Sequence, residues 1–129
     1  MSGIGRGDSS LFNIGVKPAK PDLFRKYVED IQSYLIGDVL NKNGYDSQLR
    51  WLVGSKLPKG PLDVAATGPE IIAMGAELGE CVSFSLGADI ERIKWGVDQV
   101  KAVVNKNKDN QKVPPSFGVY LNICIYNGY

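Results

Sequence analysis

The chain has 129 residues, 43% of them hydrophobic and 22% charged, with 15 basic against 14 acidic side chains and a formal charge of +1. That composition is ordinary for one soluble globular domain and excludes wholesale disorder; the charges are interspersed rather than blocked, so nothing calls for nucleic acid or a membrane surface. Histidine is absent, which removes the commonest general base, the commonest transition-metal ligand and every Ser-His or Cys-His nucleophile pair.

No basic leader runs into an apolar stretch, and no run of about 18 apolar residues occurs, so a cytoplasmic protein is expected. Cys81 and Cys124 sit in the apolar runs ECVSFS and LNICIY, where buried free thiols are expected rather than a disulfide or metal ligands.

In chain order, SGIGRGDSSLFNIG reads as a strand end running into a glycine-rich loop. Apolar residues at helical spacing predict a helix over 21–35, with Pro21 in its first turn and Gly37 as its stop. Residues 37–60 have no sustained period and read as an irregular insertion. From 61 to 126 the pattern is βαβαβ: strand 62–66, helix 69–78, strand 81–85, helix 90–104 capped by Asp89, and strand 117–125. Short connections between strands and helices imply right-handed crossovers and a parallel sheet, and the pattern alone does not choose between an open sheet and a barrel.

Two turns carry the chemical interest. In Val64-Ala65-Ala66-Thr67-Gly68-Pro69-Glu70, Thr67 and Glu70 have capping-box spacing and Pro69 suits a first helical turn. Small residues there let a ligand approach, and free amides at a helix N-terminus favour a phosphate; a helix cap with no ligand fits the same spacing. The turn Gly3-Ile4-Gly5-Arg6-Gly7-Asp8 brings three alternate glycines beside Arg6 and Asp8. It is neither a P-loop nor a dinucleotide fingerprint.

Taken together, GIGRGDSSL, then PLDVAATGPEIIAMGAELGECVSFSLGAD, then a helix and VYLNI resemble the luciferase-like superfamily of flavin- and deazaflavin-dependent oxidoreductases over nearly the whole chain. The resemblance implies an α/β fold, a partial (β/α)8 TIM barrel from about the end of strand 4 to strand 7, with the chain as a central segment of that domain. It implies FMN or the deazaflavin coenzyme F-420 as cofactor and a small-molecule substrate, in a monooxygenase or a dehydrogenase/reductase. By motif, Gly7 and Asp8 would lie beside the ring, with Asp8 the candidate catalytic acid or base; a loop carboxylate that merely caps nearby amides is the alternative. Thr67 and Gly68 would hold the coenzyme phosphate through their backbone, Glu70 and Ile71 would add amides, and Ser85 a hydroxyl. Glu80-Cys81 departs from the family's usual Asp-Gly.

The first three strands of such a barrel, with its catalytic histidine, and the eighth fall outside the 129 residues. The chain alone is therefore expected to be inactive, and to aggregate or self-associate into a homo-oligomer through open sheet edges. A non-catalytic flavin- or phosphate-binding module and an inactive truncated fragment are the alternative readings.

Overall fold

The computed structural model describes residues 1–7, 11–107, 113–121 and 123–125. Four strands, β1 (Ser2–Ile4), β4 (Leu62–Ala66), β5 (Cys81–Phe84) and β6 (Ser116–Val119), form a parallel sheet in the order β1-β4-β5-β6. Helices α1 (Pro21–Leu35), α2 (Pro69–Leu78) and α3 (Ile90–Lys106) connect them. Each strand pairs with its successor in this sheet, so every right-handed crossover returns its helix to the same face. In keeping with that, α1 packs on α2, and α2 packs on α3, β4 and β5.

The core lies between this helix layer and the sheet. Leu62, Val64, Val82 and Phe84 meet Phe24, Val28, Ile72 and Val100, all essentially solvent-free; burying side chains of this size contributes roughly 1.5–3 kcal/mol each. Gly75 brings α2 onto the sheet, because a Cβ there would lie 3.1 Å from Val64 Cβ and 3.1 Å from Val82 Cγ2. The rings of Phe84 and Phe117 stack with centroids 5.9 Å apart.

Helix boundaries follow their signals. The Asp89 side chain accepts the amides of Glu91 at 2.9 Å and Arg92 at 3.3 Å, which caps α3. At the end of α1, Gly37 adopts φ 84°, its amide bonds Tyr34 O at 3.0 Å and the Asp38 amide bonds Ser33 O at 3.0 Å, the paired bonds of a glycine-terminated helix.

Four expectations are corrected. The stretch without a sustained period contains a hairpin, β2 (Leu40–Lys42) antiparallel to β3 (Tyr45–Ser47), turning on Asn43 and Gly44 at φ 54° and 86°; both left-handed positions suit the tight turn. A short 3-10 turn, Arg50–Leu52, follows it. The final strand stops at Val119 instead of reaching Ile125. Cys81 is a buried free thiol, but Cys124 is exposed because it lies beyond that shortened strand. The helical spacing of Ile90, Ile93, Val97, Val100 and Val104 predicts a single apolar stripe on α3, but Ile90 is 67% exposed and Gly96 is buried instead.

At the N-terminal edge of the sheet, Glu80 joins several elements. Its carboxylate accepts the Leu62 amide at 2.8 Å and pairs with Lys59 at 2.9 Å, while its carbonyl accepts the Ser116 amide at 2.9 Å. Gln32 of α1 reaches the same carboxylate at 3.3 Å and donates to the Leu78 carbonyl.

Candidate functional site

Parallel strands end along one edge of the sheet, so their C-terminal turns are neighbours. This gathers Gly7 after β1, Thr67 and Gly68 after β4, and Ser85 after β5. The Ser85 amide donates to Ala66 O at 3.1 Å, and the Tyr120 amide to Phe84 O at 2.9 Å, which ties adjacent turns together just past the ladder. In α/β sheets this is the edge where ligands bind.

The capping box is not formed. The N-cap of α2 is Gly68, one residue later than the spacing predicted, and no side chain caps it; Thr67 therefore stands outside the helix. Backbone bonding explains the shift, since the Ile72 amide closes on Gly68 O at 3.0 Å. The amides of Glu70 and Ile71 precede that first helical bond and have no intrahelical acceptor. Thr67, Glu70 and Ser85 are exposed, Gly68 is half-buried, and Ile71 is buried by its side chain in the core. A Cβ at Gly68 would meet nothing within 4 Å, so the turn is open to solvent. Glu70 places one negative charge in the same helical turn, which interacts well with the helix dipole and opposes an incoming phosphate.

At the β1 turn the chain itself fills the space beside the glycine. Gly7 is left-handed at φ 79°, and a Cβ there would fall 2.8 Å from Leu11 Cδ1; Leu11 also donates its amide to Gly7 O at 2.9 Å. The glycine's close approach is thus to the chain itself. Arg6 is likewise occupied, since its Nε donates to Ala19 O at 2.7 Å. Asp8 lies outside the described residues.

Two grooves on the described surface lie away from this edge. One of about 320 Å³ runs between Leu35, Leu52 and Lys59, near the start of β4. Another, of about 220 Å³, lies between α3 and Phe117. Among the described residues no group of three or more His, Cys, Asp or Glu side chains could hold a metal, and no helix is long and apolar enough to cross a membrane.

Sequence reasoning missed a polar cluster on the sheet face opposite the helices. Strand alternation puts Leu62, Val64, Val82 and Phe84 toward the helices, and Asp63 and Ser83 on the other face. Asp63 is 4% exposed and Ser83 5%. Ser83 Oγ donates to Asp63 Oδ2 at 2.7 Å, the Tyr120 hydroxyl stands 3.5 Å from the same oxygen, and Asp63 Oδ1 has no partner. Gly118 makes room for this, since a Cβ there would lie 2.3 Å from Ser83 Oγ. The signal was a single carboxylate inside the otherwise apolar strand LDVAA, matched by a serine at the same phase of CVSF.

No protein-family model matches the chain, and no curated protein is significantly similar to it.

Proposed function

We propose that the chain is the coenzyme-phosphate half of a luciferase-like oxidoreductase site, acting on a small molecule with FMN or the deazaflavin coenzyme F-420. One observation carries the reading: the uncapped start of α2 opens at the C-terminal edge of a parallel sheet whose strands run in sequential order with their helices on one face. That winding is the one a (β/α)8 barrel uses, and a partial barrel of this kind is the finer fold we propose.

The donor set fits a phosphate. Amides of Glu70 and Ile71 would bind its oxygens, the Thr67-Gly68 backbone would shape the cradle, and the Ser85 hydroxyl would approach from the neighbouring turn. When bound, a reduced flavin or deazaflavin supplies the hydride or oxygen-activating chemistry. The residues of this chain bind and orient it; Asp8 remains the proposed acid or base beside the ring. A non-catalytic binding module is the second reading, favoured by Leu11 and Ala19 occupying Gly7 and Arg6 on the ring side.

Titration with FMN against riboflavin tests the proposal, because the two differ only in the phosphate. FMN is expected to bind at least about tenfold more tightly, the worth of one to two charge-assisted hydrogen bonds. Equal affinity, or binding of neither, overturns it.

A further inference from the structure

We propose that Asp63 is the anionic floor of a second binding site, on the sheet face away from the helices, which takes a small organic cation such as a protonated amine or amidine. The carboxylate is 4% exposed, yet its Oδ1 has no hydrogen-bond partner. Its Oδ2 holds the Ser83 hydroxyl at 2.7 Å and faces that of Tyr120 at 3.5 Å. None of the salt bridges among the described residues reaches Asp63.

Open space lies at the neighbouring position on β1. Gly3 is the ladder partner of Asp63 on β1, and a Cβ at Gly3 would meet nothing within 4 Å. Gly5, Ala65 and Gly118 share this face by strand alternation, so it is lined by small groups around one carboxylate.

The charge selects the ligand. A neutral donor would satisfy the free lone pairs of Oδ1 but leave a buried charge uncompensated, whereas a cation does both. Ser83 and Tyr120 fix the carboxylate's orientation, leaving Oδ1 to receive the ligand's N–H. The site is separate from the phosphate turn: Asp63 precedes Ala66 by three residues, roughly 10 Å along an extended strand, and the inference does not rest on the coenzyme reading.

The probe is benzamidine, cationic at neutral pH, compared with its neutral analogue benzamide, both titrated into the full chain carrying carbon-13 at its aspartate carboxyls. Asp63→Asn assigns the signal. A saturable shift of the Asp63 resonance with benzamidine is expected, with benzamide at least about tenfold weaker, and Asp63→Asn is expected to lose benzamidine affinity by a similar factor. Gly3→Leu, which fills the adjoining space from an exposed position, should weaken benzamidine equally and decides the matter if Asp63→Asn fails to fold. Equal affinity for the two probes, no saturable shift, or undiminished affinity in Gly3→Leu overturns the proposal.

Discussion

Glu80 and Leu62 hold each other twice: the Leu62 amide donates to the Glu80 carboxylate at 2.8 Å, and the Glu80 amide donates to Leu62 O at 2.9 Å. Burial alone would raise the carboxyl's pKa, but the Leu62 amide, Lys59 and Gln32 together outweigh it and hold the group below its ordinary value of 4.5. A carboxylate lowered on folding stabilises fully above its unfolded pKa and loses that contribution as pH falls through the folded one. Glu80→Gln should therefore be less stable than the parent at pH 7, and the gap in denaturation midpoint should narrow below about pH 4.5. A gap independent of pH would assign the loss to packing.

Gly75→Ala sets two effects against each other. Alanine improves helix propensity by about 1 kcal/mol over glycine. The new methyl, however, would stand 3.1 Å from both Val64 and Val82, which are solvent-free and belong to the sheet; overpacking of this kind costs about 1–3 kcal/mol. Net destabilisation is expected in urea unfolding, and a more stable variant would show that α2 lifts off the sheet without penalty.

At the phosphate turn the expected changes have opposite signs. Gly68→Val adds a side chain where no atom lies within 4 Å, at an ordinary extended conformation of φ −117° and ψ 161°. Stability should fall by no more than about 1 kcal/mol, since valine is a poorer N-cap than glycine, while FMN affinity falls. Glu70→Gln removes the like charge from the first turn and should strengthen FMN binding by a few-fold, the scale of about 0.3–1 kcal/mol for charges at a helix end. Riboflavin serves as the control, since neither change should matter without a phosphate.

Sheet edges govern association. Among the described residues β1 and β6 each pair on one side only, and β6 exposes Phe117 at 46% and Val119 at 41%. Light scattering after size exclusion should find species larger than one chain, and Val119→Lys, a charge placed on that edge, should reduce them. A parent chain that runs as a monomer would remove this expectation.

The two thiols should separate kinetically. In the native state a water-soluble disulfide reagent is expected to modify Cys124 promptly and Cys81 only on unfolding, given their exposed and buried positions. Mass spectrometry of the modified peptides reads the order.

Long-period patterns were the most legible part of this sequence. The stripe of α3 and its Asp89 cap, the Pro21 start and Gly37 stop of α1, and the βαβ run from Leu62 to Phe84 all rest on local rules that the tertiary fold reinforces. Where two local signals competed, spacing alone failed: Thr67 and Glu70 match a capping box, yet Gly68 is the N-cap because Pro69 takes the first helical position. Sequence also could not reveal that Leu11 fills the space at Gly7, or that Asp63 and Ser83 meet, since both depend on strand register and neighbouring chain. The short hairpin was foreshadowed by Asn43-Gly44 alone, its strands being too short for any period to emerge.

That hairpin is joined to the rest of the protein through side chains, Lys42 with Asp30 and Ser47 with Tyr34, while its backbone ladder is closed on itself and contributes nothing to the main sheet. Its tip at Asn43-Gly44 is consequently a place where extra residues can be spliced in without breaking a strand of the core. A peptide tag or fluorophore inserted there would report on the molecule from the outside, far in sequence from both the phosphate turn and Asp63.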